Sequence, residues 1–265
     1  MNYLSPAKVN LSLKVGERLD DGYHPVDTVI HLLDFGDTIS IEDADRLALT
    51  CSVDLGITEE ENIAFQAAQR IGEAFEHDTP FSIHLEKRIP HGAGLGGGSS
   101  NAATVLRALA DRWKIPLDDA RLREVARSLG ADVMAFLAPS TCTYLTGRGD
   151  IVKESLNPLT GLPIVLIQVP GSHASTAQVY RVFDQIGPTN ANPVLTNDLE
   201  QAAIAVCPQT GIALEWLRTH PQTDGAQVCG SGSACFGLVR SQQAAEELAR
   251  GASDEGFWSV AATMR

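Results

Sequence analysis

Polar and apolar residues alternate along Lys8-Val9-Asn10-Leu11-Ser12-Leu13, the period of a strand with one buried face. The β-rich run 28–33 and the shorter run 38–42 predict two further strands. A turn-rich loop, Asp20-Asp21-Gly22-Tyr23-His24-Pro25, precedes them. The period then changes. Ile63, Ala67, Ile71 and Phe75 recur every fourth residue with Asn62 placed to cap them, which predicts a helix. Residues 81–89 alternate again as a strand. Past a glycine-rich stretch, Ala102, Ala103, Leu106, Ala110 and Trp113 share one helical face. Asp118 is the expected cap of a second helix carrying Leu122, Val125 and Leu129, which Gly130 ends.

A turn-rich stretch at 156–163 marks the expected domain boundary, giving domains at 1–155 and 156–265. Beyond it, 164–169 reads as a buried strand and 177–185, 198–206 and 211–218 as helices. Strands at 226–229 and 234–239 flank Gly230-Ser231-Gly232-Ser233. Ser241 caps a helix running to Arg250, and 258–263 is a closing strand. Strands and helices mix without regular βα alternation, which favours an α+β fold over a doubly wound sheet.

Composition narrows the chemistry. The chain has 265 residues, 44% hydrophobic and 20% charged, which excludes wholesale disorder. Acidic residues outnumber basic ones 33 to 20, for a net charge of −13. Such a field does not draw in nucleic acid or an anionic membrane. An anionic ligand must therefore be held locally, by backbone N–H groups and a few placed Lys or His. The five cysteines are odd in number and none has C-x-x-C spacing, against a disulfide framework or a zinc site. No basic leader precedes an apolar run, and none approaches the roughly 18 residues of a membrane helix. The expectation is a cytoplasmic protein with reduced thiols.

Residues 92–98 hold five glycines in seven positions, followed by Ser99, Ser100 and Asn101 at a helix start. Glycine lets the backbone approach a ligand and turn its N–H groups inward. The helix N-terminus adds partial positive charge and unpaired donors. Together they make an anion cradle that needs no basic side chain. One or two glycines would suffice for a plain strand-to-helix turn, so five argue for phosphate. A P-loop is excluded because no lysine follows. Gly92, Gly94 and Gly97 fit G-x-G-x-x-G, but no second parallel strand follows where a dinucleotide fold needs it.

Pro90-His91-Gly92-Ala93-Gly94-Leu95-Gly96-Gly97-Gly98-Ser99-Ser100-Asn101 resembles the central ATP motif of the GHMP kinases. Ser5-Pro6-Ala7-Lys8-Val9-Asn10-Leu11 and Gly230-Ser231-Gly232-Ser233-Ala234 resemble that superfamily's first and third motifs, in the same order. Asp21-Gly22-Tyr23-His24, Gly130-Ala131-Asp132-Val133 and Asn197-Asp198-Leu199-Glu200 resemble the branch that phosphorylates the 2-hydroxyl of a diphosphocytidyl methylerythritol, in the non-mevalonate route to isoprenoids. The resemblance implies two domains, one like ribosomal protein S5 and one ferredoxin-like. It also implies ATP, Mg2+ or a similar divalent cation, a small-molecule substrate, no nucleic-acid or membrane partner, and a monomer or homodimer. That branch usually has proline two places after the aspartate of Gly-Ala-Asp-Val; here Met134 stands there.

On the residues alone, Asp132 is an ordinary helix-start cap and Lys8 a solvated strand lysine. The resemblance makes Asp132 the general base for the acceptor hydroxyl and Lys8 its cationic partner. It gives Pro90, His91, Gly92, Ala93, Gly94, Leu95, Gly96, Gly97, Gly98, Ser99 and Ser100 to the ATP phosphates, with Ser99 or Ser100 reaching the cation. Asn62 and Ile63 fall to the adenine. Asn10, Tyr23, His24 and Tyr180 fall to the cytidine, the tyrosines stacking on its face and His24 and Asn10 bonding its edge. Other GHMP small-molecule kinases, of homoserine or mevalonate type, and a non-catalytic ATP-binding protein on the same fold are the alternatives.

Overall fold

A computed structural model describes residues 1–188 and 195–265. The first strand, β1 (Asn2–Val15), pairs antiparallel along its length with β2 (Val26–Asp43). The two strands expected at 28–33 and 38–42 are one 18-residue strand. Gly36 permits this: a Cβ there would lie 2.1 Å from the Ser5 carbonyl oxygen, so only glycine lets β1 cross so closely. The pairing shifts register beside it, between Pro6 and Lys8. The other edge of β2 is shared by β4 (Phe81–Glu86) and β5 (Cys142–Thr146). β3 (Ala48–Cys51) and β6 (Ile151–Ser155) extend the sheet beyond them.

One face of this sheet is covered by α1 (Ile63–Phe75), α2 (Gly97–Trp113), α3 (Ala120–Leu129) and α4 (Val133–Leu137). Asn62 caps α1 as expected, its Oδ1 accepting from the Ala64 N–H at 3.0 Å. The cap of α3 is Asp119, not Asp118: its Oδ1 accepts from the Arg121 N–H at 2.8 Å. Asp119 is the residue adjoining the first helical turn, so its carboxylate alone can reach that donor.

The second sheet runs β11-β7-β10-β9, all antiparallel, from β7 (Pro163–Gln168), β9 (Thr223–Val228), β10 (Cys235–Val239) and β11 (Trp258–Thr263). Four helices pack on it: α5 (Thr176–Ile186), α6 (Glu200–Val206), α7 (Pro208–Thr219) and α8 (Gln242–Asp254). That is the ferredoxin-like order, so the α+β expectation holds in both halves. The expected boundary at 155/156 falls at the end of β6, but the halves are interleaved. β8 (Thr196–Asn197) returns to pair with Ser12 and Leu13 on β1. A third core joins the sheets, with Ala7, Val9, Leu33 and Phe35 packed in one buried cluster with Leu95, Leu166 and Phe236. The glycine loop is thereby held between two rigid sheets.

Candidate active site

The glycine loop and α2 form one side of a cleft of about 470 Å³. Helix α2 starts at Gly97, five residues before its first expected apolar position, with Gly96 as its cap at φ 73°. The N–H groups of Gly97, Gly98 and Ser99 therefore stand in the first turn, where no intrahelical acceptor exists, and all three residues line the cleft. The loop is sewn to the β9–β10 hairpin opposite: the Ala234 N–H donates to the Ala93 carbonyl at 3.1 Å. A Cβ on Gly94, whose φ is +77°, would lie 1.9 Å from the Cys229 carbonyl oxygen. At Gly96 it would lie 2.9 Å from Cγ of Lys8, so the absent side chain is the slot for the lysine stem.

Lys8 is 4% exposed. Its backbone N–H donates to the Leu95 carbonyl at 3.0 Å, fixing β1 against the loop. Its Nζ donates to Asn10 Oδ1 at 2.7 Å and lies 3.8 Å from Asp132 Oδ2. Asp132 occupies the start of α4, but its carboxylate makes no capping bond. It is 40% exposed and faces the cleft instead, so the plain capping reading does not describe it. Met134 is buried in the first core behind it, where its N–H donates to the Ala131 carbonyl at 3.3 Å. The helix turn thus keeps a backbone bond that a proline would lack.

Of the two serines, Ser99 lines the cleft. Ser100 is fully buried and its Oγ accepts from Ser5 Oγ at 2.8 Å, so its hydroxyl points away from any ligand in the cleft. Asn62 and Ile63 line the cleft, with the Ile63 side chain 3.5 Å from where a Cβ on Gly98 would stand. Leu55 and Ile57 line it as well, grouped with Asn62 around an adjoining hollow, and add apolar surface. Among the described residues no three His, Cys, Asp or Glu side chains converge as a metal cage.

Tyr180, on α5, also lines the cleft. Burial, and then the charge of Asp132, push its hydroxyl up to about 12. Cys229, beneath the third motif, is likewise pushed up to about 12 by burial, with Lys8 pulling the other way. His24 stands behind Tyr180, ring centroids 5.4 Å apart. It is buried, with Nδ1 2.8 Å from the Gly16 carbonyl and Nε2 2.8 Å from Asp184 Oδ1. Asn10 is also engaged, its Nδ2 donating to Thr28 Oγ1 at 2.8 Å. Tyr23 is 56% exposed at the rim, with the Arg148 guanidinium 4.0 Å from its ring centroid.

The third motif closes the floor. A Cβ on Gly230 would stand 3.2 Å from Lys8 Nζ and 3.4 Å from Asn10 Oδ1. Buried Asn197 holds this turn, its Nδ2 donating to the carbonyls of Gly230 at 2.7 Å and Val228 at 3.0 Å. Sequence reasoning missed Lys87, Arg148, Leu55 and Ile57 as lining residues. Lys87 precedes the glycine motif by a few residues, and a lysine directly before a phosphate loop was the available signal. Nothing local marks the other three.

The N-terminal domain model of the GHMP kinases matches residues 62–139, and the C-terminal model matches 188–256. The 4-diphosphocytidyl-2-C-methyl-D-erythritol kinase of Salinibacter ruber is 39% identical over 91% of this chain and 90% of its own. A crystal structure of 4-(cytidine 5'-diphospho)-2C-methyl-D-erythritol kinase superposes with a TM-score of 0.83 and 34% identity, covering 100% of this chain and 99% of that one. Homoserine kinase from Cytophaga hutchinsonii superposes with a TM-score of 0.73 at 16% identity, over 100% of this chain and 93% of that one, which is a likeness of fold.

Proposed function

Since this chain belongs to the 4-diphosphocytidyl-2-C-methyl-D-erythritol kinases of the GHMP superfamily, we propose a division of labour within its cleft. The enzyme phosphorylates the 2-hydroxyl of 4-diphosphocytidyl-2-C-methyl-D-erythritol with ATP, in isoprenoid biosynthesis. The observation that carries the site assignment is the meeting of Lys8 and Asp132, 3.8 Å apart, at the foot of a glycine loop and helix N-terminus.

In this reading the N–H groups from Gly94 to Ser99 hold the ATP phosphates, while that of Ser100 is spent on the Gly96 carbonyl. The adenine lies against Ile63, Leu55 and Ile57, beside Asn62. Asp132 takes the proton from the 2-hydroxyl as its oxygen attacks the γ-phosphorus and ADP departs. Lys8 orients that hydroxyl and offsets charge at the transferring group. Mg2+, which neutralises phosphate charge when bound, fits a site with few protein ligands, because such a cation sits mainly on the phosphates. Ser99 is the hydroxyl placed to reach it.

Asn10, Tyr23, His24 and Tyr180 serve the cytidine end with unequal parts. Tyr180 and Tyr23 offer stacking faces. Asn10 also places the Lys8 ammonium, and His24 backs the Tyr180 ring. Arg148, over Tyr23, supplies a cation for the substrate's diphosphate. Domains divide at 155/156, and the enzyme works in the cytoplasm as a monomer or homodimer without a nucleic-acid partner. None of the helices among the described residues is long and apolar enough to cross a membrane.

The test is ADP release, coupled to a reporter, with the diphosphocytidyl substrate beside homoserine and mevalonate. Turnover with the first alone is expected. Comparable turnover with homoserine or mevalonate would overturn the substrate assignment.

A further inference from the structure

We propose that Asp37 is a positioning residue for the phosphate loop, a buried clasp that ties the loop's two ends together. The proposal rests on the reading of this loop as the ATP site. Asp37 sits on β2 and is fully buried. Its Oδ1 accepts from the backbone N–H groups of Arg88 at 2.8 Å and Ile89 at 2.9 Å, directly before Pro90. Its Oδ2 accepts from Asn101 Nδ2 at 2.9 Å and pairs with the Lys87 ammonium. Residues 87–89 start the loop and Asn101 follows its end, so one carboxylate grips both. Lys87 Nζ also donates to Asn101 Oδ1 at 3.1 Å, which closes a ring of three side chains. Asn101 Nδ2 further donates to Ser5 Oγ at 2.8 Å, linking the clasp to β1 three residues before Lys8.

A buried ion pair is weak evidence of a stabilising role, because desolvation offsets much of its attraction. The placement of this one says more. Lys87 and Asn101 both line the cleft, and a Cβ on Gly97 would stand 3.4 Å from Lys87 Nζ. Glycines give the segment between 92 and 98 more freedom than any other composition would. Donors aimed at a ligand are effective when they are fixed before it arrives. The clasp supplies that fixity from outside the loop, so the loop itself stays free of side chains. Because Asp37 offsets the Lys87 charge, the nucleotide meets backbone N–H groups rather than a bare lysine.

The experiment measures ATP affinity by calorimetry without acceptor, and separately the affinity for the diphosphocytidyl substrate. Asp37→Asn keeps the shape, but its amide nitrogen cannot accept, so either the Lys87 and Asn101 donors or the Arg88 and Ile89 N–H groups lose their acceptor. ATP affinity should fall about tenfold or more, the scale of a lost charge-assisted bond. Substrate affinity should stay within about twofold, since the bonds of the clasp run to Arg88, Ile89, Ser5 and one another and not to Asn10, Tyr23, His24 or Tyr180. Lys87→Arg should retain more ATP affinity than Lys87→Met. Equal loss of both ligands would mean general loosening and overturn the proposal, as would unchanged ATP affinity in a folded Asp37→Asn protein. If Asp37→Asn does not fold, Asn101→Ala, which releases only the far end, decides on the same terms. A wild-type enzyme that binds no ATP would refute the site assignment instead.

Discussion

Replacing Gly230 by alanine tests how the third motif acts on the reacting groups. The residue has φ of +55°, and its missing Cβ would stand 3.2 Å from Lys8 Nζ, 3.4 Å from Asn10 Oδ1 and 3.4 Å from the Gly94 carbonyl. Two costs follow. A side chain in the left-handed region costs about 1–2 kcal/mol of stability, which lowers Tm by a few degrees in a chain of this size. The methyl also presses on an ammonium that cannot yield freely. Asn197 holds the turn through two carbonyls, Asn10 holds the ammonium at 2.7 Å, and Gly96 confines the stem. Misplacing a reacting group by about 1 Å costs up to about 10²-fold, so a shift of a few tenths should lower kcat about tenfold. Coupled ADP release and a thermal melt read the two costs separately. Gly161→Ala is the control: its φ is +83° with nothing within 4 Å of the added carbon, so it carries the strain without the contact. A kcat within about twofold of wild type in folded Gly230→Ala, where a tenfold loss is expected on that geometric scale, would refute the idea that this turn positions Lys8.

Asp132→Asn should lower kcat about 10²–10⁴-fold, the usual loss of a general base, and leave Tm near wild type because the carboxylate makes no capping bond. Tyr23→Ala should raise the KM for the diphosphocytidyl substrate about tenfold, from a base stacking worth about 1–3 kcal/mol, while the KM for ATP stays unchanged; equal effects would move Tyr23 out of the cytidine site. The Tyr180 hydroxyl is held up to about 12 in the folded chain, by burial first and Asp132 second, against about 10 unfolded. Folding therefore retains its proton, and the stability this gives is full below pH 10 and is lost as pH rises through 12. Denaturant titrations of wild type and Tyr180→Phe should diverge across that window, and superimposable curves would exclude the shift.

The helices and the glycine cradle were legible because their signals are local. Asn62 caps the helix it adjoins, and Ser241 does likewise, accepting from the Ala244 N–H. Strands whose identity depends on distant partners were not. β3, β5 and β6 are short and carry little period of their own. The break expected inside β2 vanished because Gly36 there serves a close crossing by β1 rather than a turn. At the site, motif likeness brought Lys8, Asp132, Tyr180 and the loop to one cleft. It left the choice between Ser99 and Ser100 open, because which hydroxyl turns inward depends on Ser5, some 95 positions away. Asp37 gave no signal at all: an acid in Phe35-Gly36-Asp37-Thr38 reads as solvated until Arg88, Ile89 and Asn101 are seen around it.

The return of β8 to the outer edge of β1 bears on how the chain is made. β1 precedes all its partners in the chain. On one side it finds β2 within a few dozen residues, and Lys8 meets the Leu95 carbonyl, but Ser12 and Leu13 wait for Thr196–Asn197, and Asn10 waits for Gln227, whose Nε2 donates to its carbonyl at 2.9 Å. Until Thr196–Asn197 arrive, the Ser12–Leu13 end of β1 presents an open edge, the kind of surface that pairs with stray strands.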